Sequence, residues 1–117
     1  MIIVTMRLRV TPTRRQEFMQ TIHALVPYLR KQNGCNSCSL YQDIENKNEM
    51  IFIEEWKAQR FLNNHLGSDI FGVLAGAVVF LSEDPQIKIS VISSRLDIEK
   101  KRIRTLKKSK SEKKEEE

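Results

Sequence analysis

The sequence predicts an α+β fold of ferredoxin-like type, a single antiparallel sheet with helices on one face in the order β-α-β-β-α-β. Three observations lead there. Residues 2–10 and 86–93 alternate apolar and polar groups, as half-buried strands do. Residues 14–31 and 69–81 repeat their apolar groups at helical spacing. Between them, SCSLYQDI (37–44) and EMIFIEEW (49–56) flank the polar run Glu45-Asn46-Lys47-Asn48, the pattern of a hairpin.

Each element has a local cause. In the first strand Val4, Met6, Leu8 and Val10 share one face, and Thr5, Arg7 and Arg9 the other. Pro12 closes it. Thr13-Arg14-Arg15-Gln16 fits a capping box, and Phe18, Ile22, Leu25, Val26 and Leu29 form the buried stripe of the helix that follows. Pro27 removes the hydrogen bond to the carbonyl of His23, so the last turn should kink or end early. Asn33-Gly34 is a stop signal. The strand at 49–56 has apolar groups on both faces, with Met50, Phe52 and Trp56 alternating with Ile51 and Ile53, so it should be central. A helix at 58–66 places Phe61, Leu62, His65 and Leu66 on one side and breaks at Gly67. Ser68 caps the next helix, 69–81, with a stripe of Phe71, Leu74, Ala75 and Val78; Gly72 and Gly76 weaken it or allow close packing. Pro85 should end it before the last strand.

At 117 residues the chain fits one domain, residues 1–94, followed by a charged tail at 95–117 that is helical or disordered. The net charge of +5 is concentrated in that tail, which holds ten Lys/Arg and six Asp/Glu. The body is near neutral, which argues against nucleic-acid binding. No apolar run reaches the length of a membrane span, and the N-terminus lacks a signal-peptide pattern. With two cysteines and no export signal, the expected compartment is the cytoplasm. The second apolar face of the sheet needs a cover, and a second copy of the same sheet is the simplest one, giving a homodimer through the sheet faces.

Four groups of residues could carry chemistry. Cys35-Asn36-Ser37-Cys38 is a C-x-x-C, but it follows a helix C-terminus, the wrong end of the dipole for a redox thiolate. Zinc would need two further ligands, so a turn thiol and a strand thiol are the plainer reading. His23 on the first helix reads as a partly exposed surface histidine. Glu54 and Glu55 are adjacent on a strand and face opposite sides, so one can line a pocket and the other cannot. Trp56 ends the strand that leads into the helix of His65. An indole beside an imidazole over an apolar floor suits a flat aromatic ligand, the indole stacking and the imidazole moving a proton. The alternative is a core tryptophan with a capped or solvated histidine.

Taken together, Gly34-Cys35 leading into Leu40-Tyr41-Gln42-Asp43, then Phe52-Ile53-Glu54-Glu55-Trp56, His65-Leu66 with Ser68 and Phe71, and Pro85 resemble the antibiotic biosynthesis monooxygenase (ABM) domains, a branch of the dimeric α+β barrel proteins. The resemblance covers about residues 2–94. It implies a homodimer and a pocket between sheet and helices. It also implies oxidation of an aromatic or quinol-type small molecule by O₂ without metal, flavin or other cofactor. On this reading His65 and Trp56 are the catalytic pair, and Phe52, Phe61, Leu62 and Tyr41 line the substrate site. Two departures stand out. Polar pocket groups of oxygenating relatives fall on Phe52 and Leu62, and the Asn and His of haem-degrading relatives have no counterpart in Thr5-Met6 or in 72–77, GVLAGA. The competing expectation is a non-catalytic dimer of the same fold that binds a small molecule or serves a structural role.

Overall fold

The structure, a computed structural model, describes residues 1–93 and 104–109. Its elements are β1 (Ile2–Arg9), α1 (Pro12–Arg30), β2 (Cys35–Gln42), β3 (Glu49–Trp56), α2 (Gln59–Leu66), α3 (Asp69–Leu81) and β4 (Glu83–Val91). The four strands form one antiparallel sheet in the order β2-β3-β1-β4, with β3 and β1 central as their apolar content requires. The fold is the α+β, ferredoxin-like arrangement expected from the sequence, with the second helical segment divided at Gly67 into α2 and α3.

Register places the core. Ile2, Val4, Met6 and Leu8 of β1 lie opposite Trp56, Glu54, Phe52 and Met50 of β3, so their side chains share one face. All eight are buried. Phe18, Ile22 and Leu29 of α1, Leu62 of α2, and Leu74, Ala77 and Val78 of α3 complete the same core. Glu54 is therefore a carboxylate set in an apolar layer. The opposite face carries the half-buried Ile3, Thr5, Ile51 and Ile53. This is the face expected to meet a second sheet.

Several boundaries differ from expectation, each for a local reason. Helix α1 starts at Pro12, because proline fits the first helical position, where its missing N–H is no loss. Thr11 is the N-cap residue; no side chain caps the helix, so the capping box from Thr13 does not form. Pro27 does not end α1, which continues to Arg30. Leu66 points away from the core and is exposed. Strand β2 begins at Cys35 and stops at Gln42, since Asp43 turns the chain by accepting from the N–H groups of Glu45 and Asn46. Strand β4 begins at Glu83 and contains Pro85. It is an edge strand, and a register irregularity opposite Arg7–Arg9, with Asp84 at φ 47°, accommodates the proline there.

Among the described residues no single helix is long and apolar enough to cross a membrane. Leu96 and Ile103 of the tail lie outside the described residues. Residues 104–109 are helical and exposed.

Candidate functional site

The site is built where α1, β3, α2 and α3 meet. Helix α1 ends and Gly34 takes the left-handed conformation, φ +81°. A β-carbon there would lie 2.1 Å from Cγ of Phe61, so only glycine lets α2 approach this turn. The carbonyl of Gly34 accepts from the Lys57 N–H at 2.9 Å and ties the end of β3 to the same turn. These contacts bring Gln32, just after α1, over the end of α2. Ser68 then caps α3 through Phe71 N–H at 3.2 Å.

His65 is the centre of the arrangement. It is 1% exposed and stacks on Trp56, with ring centroids 4.5 Å apart and planes at 28°. Phe71 meets it edge-on at 5.3 Å. Nδ1 of His65 lies 2.6 Å from Oε1 of Gln32, and Nε2 lies 3.0 Å from Oε2 of Glu54. The Glu54 contact has ion-pair distance without hydrogen-bond alignment. Gln32 Nε2 donates to Ser68 Oγ at 3.1 Å, and Ser68 Oγ donates to the carbonyl of His65 at 2.6 Å. Glu54, itself 1% exposed, thus faces an imidazole across the only sheet position where the inner face of β3 is not apolar. Nε1 of Trp56 is buried with no hydrogen-bond partner among the described residues. A buried unpaired donor costs about 1–3 kcal/mol, so it marks a place for an acceptor.

The two cysteines lie on the neighbouring strand, Cys38 directly opposite Glu54 and Cys35 opposite Trp56. Burial first, and then the charge of Glu54, pushes the Cys35 thiol up. The same two causes, with Cys35 adding to them, push Cys38 up to about 12. Both are free, and both are held as thiols, the reverse of a redox C-x-x-C. Among the described residues no three His, Cys, Asp or Glu side chains are placed to hold a metal ion.

The residues expected to form the site divide in two. Trp56, His65, Phe52 and Leu62 are all buried on the helix side of the sheet. Phe61 is half-buried against Gly34, with the Arg60 guanidinium 4.6 Å over its ring. Tyr41 is elsewhere: it pairs with Ile51, is 57% exposed, and borders a groove of about 770 Å³ between α1 and β2 with His23, Val26, Pro27, Arg30 and Leu40. That groove does not reach Trp56 or His65. Glu54 was one of two open choices, and Gln32 gave no sequence signal. A turn glutamine fits no motif, and its partner lies 33 residues away.

The family model for antibiotic biosynthesis monooxygenase matches residues 1–75. An uncharacterized Synechocystis protein, sll1783, is 29% identical over 70 residues, which are 60% of this chain and 48% of that protein. The chain thus matches about half the length of this relative. A conserved protein from Methanosarcina mazei is 31% identical with a TM-score of 0.70, covering 76% of this chain and 89% of that one. SnoaB, a cofactor-independent oxygenase from Streptomyces nogalater, shares the fold at 18% identity, with a TM-score of 0.72 and coverage of 82% and 96%.

Proposed function

The chain belongs to the antibiotic biosynthesis monooxygenase family, and from that premise we propose that it is a cofactor-independent monooxygenase acting with O₂ on an aromatic or quinol-type small molecule. The observation that carries this reading is the buried His65–Glu54 pair stacked on Trp56. A phenol becomes a good electron donor to O₂ once its proton is removed. His65 takes that proton, and Glu54 offsets the imidazolium charge that results. One oxygen atom enters the ring, the other leaves as water, and a phenol becomes a quinone. The unpaired Nε1–H of Trp56 supplies a donor for the developing oxyanion. The described likeness to SnoaB, a cofactor-independent oxygenase, supports the same chemistry at the level of fold.

The ring needs space that the closed packing does not leave. Helix α2 is the element suited to yield it. It has eight residues, starts at Ala58 without a side-chain cap, and ends at Gly67. Its opening uncovers Leu62 and His65 and parts His65 from Gln32, a cost that binding of the ring has to offset.

A second reading rests on the same packing. Trp56 and His65 are 0% and 1% exposed and fill the corner themselves, as expected of a non-catalytic binding or structural protein that kept the fold. Oxygen uptake separates the two. Wild type and His65→Ala are assayed without added cofactor on a panel of hydroquinones and hydroxylated polycyclic aromatics. Uptake by wild type alone supports the oxygenase. No uptake above the variant on any substrate leaves the non-catalytic reading.

A further inference from the structure

We infer that Gln32 is a positioning residue that fixes the hydrogen of His65 on Nδ1, so that the bare Nε2, beside the Glu54 carboxyl, is the nitrogen left to take up the substrate's proton. This deepens the proposed function, but the assignment stands on hydrogen-bond accounting.

Ser68 sets the directions of the hydrogen bonds around His65. Its hydroxyl has one hydrogen, and that hydrogen goes to the carbonyl of His65 at 2.6 Å. Oγ of Ser68 is then an acceptor toward every other neighbour. It accepts from Phe71 N–H, and the Gln32 side chain approaches it at 3.1 Å. An amide oxygen there would meet a lone pair, so the amide nitrogen of Gln32 faces Ser68 and its oxygen faces His65. At 2.6 Å from that oxygen, Nδ1 of His65 must carry a hydrogen. The serine that caps α3 therefore sets the orientation of the glutamine, and the glutamine sets the tautomer of the histidine.

The consequence falls on the other ring nitrogen. With Nδ1 protonated, neutral His65 has a bare lone pair on Nε2, 3.0 Å from a carboxyl oxygen of Glu54. Neither atom has a hydrogen-bond partner among the described residues, and two buried acceptor atoms at that distance repel. The proton taken from the substrate relieves that repulsion, which favours its transfer to Nε2. Without Gln32 the ring can move its hydrogen to Nε2, and that nitrogen is no longer free to take the substrate's proton. Among the described residues, the titratable groups beside the pair are Cys38 and Cys35 on β2, with Arg30 of α1 close to both. Both thiols have raised pKa values and stay neutral, so they offer no competing charge.

The test is ¹⁵N-resolved NMR of the His65 ring in the full chain, which reads the tautomer whether or not the protein turns over a substrate. Wild type is compared with Gln32→Met, which keeps the shape and removes both polar atoms, and with Gln32→Glu, which keeps an acceptor for Nδ1. The expected result is a protonated Nδ1 in wild type and in Gln32→Glu, and a shift toward the Nε2–H tautomer in Gln32→Met. A bare Nδ1 in wild type overturns the proposal, as does a folded Gln32→Met with the wild-type tautomer. If Gln32→Met does not fold, the wild-type and Gln32→Glu spectra still decide. Where oxygen uptake is found, Gln32→Met should lower kcat by about 10²-fold and displace its pH profile, with Gln32→Glu recovering most of the loss. Absence of uptake with the expected tautomers sinks the oxygenase reading and leaves this one standing.

Discussion

His65 serves stability and proposed chemistry together, so its removal should be felt in both. His65→Ala removes a fully buried ring beneath Trp56 and beside Glu54, and core truncations of this size cost about 2–5 kcal/mol. Thermal unfolding should show a large drop in Tm, and the fall in turnover, about 10²–10⁴-fold for a lost base, should be measured well below it. Trp56→Phe keeps a ring under His65 and should raise KM more than it lowers kcat. Cys38, raised to about 12, stays protonated at pH 8, and alkylation of the native protein by iodoacetamide should be slow there and speed up on unfolding. How much of this was legible differs by residue. Trp56 and His65 could be found because an indole ending a strand and an imidazole on the next helix are distinctive types at short separation. Alternation could say that Glu54 and Glu55 face opposite sides, but not which side is the core. Tyr41 fell outside the group because its strand position sends it to the other face of the sheet.

The strands and helices were easier to read than their ends, since periodicity decides an element and a few turn residues decide where it stops. Pro85 shows the limit: it rules out a central strand, but β4 is an edge and keeps it. Glycines separate into two kinds. Gly34→Ala would force a β-carbon into Phe61 at a positive φ and should destabilise by more than about 1 kcal/mol, read as a lower denaturant midpoint. Gly72 and Gly76 meet nothing within 4 Å of an added β-carbon, so each replacement by Ala should stabilise α3 by about 0.4–1 kcal/mol. The β2–β3 turn carries its own pH dependence. The N–H groups of Asn46 and Glu45 hold Asp43 below its ordinary value of 3.8, so its contribution is present above that pH and fades as pH falls below it. Amide exchange at Glu45 and Asn46 should accelerate on that acid limb.

The sheet has one covered face and one carrying Ile3, Ile51 and Ile53 half-exposed. We propose that a second copy covers it, and sedimentation equilibrium at micromolar concentration should give about twice the mass of 13.7 kDa. A folded monomer would remove the barrel from consideration. The dimer was inferred from β3 alone, because only a strand buried on two sides needs apolar groups on both. We further propose that truncation after Ser94 leaves the body folded; a large drop in Tm would mean that tail residues such as Leu106 pack on it. Charge could separate tail from body in the sequence, but no periodicity says what a charged tail touches.

The placement of β1 at the centre of the sheet also governs when the protein can fold. The first strand pairs with β3 and with β4, and its terminal amine reaches the carbonyl of Ile92, 91 residues away. During synthesis β1 emerges first and must wait for both neighbours, so the hairpin of β2 and β3 is the earliest sheet that can exist. Closing such long loops before any contact rewards them slows the search, and refolding from denaturant should take milliseconds to seconds rather than microseconds. A nascent chain stopped at the end of α3 would hold an inner strand with one side unpaired. It should remain sensitive to protease until residues 83–91 have cleared the ribosome.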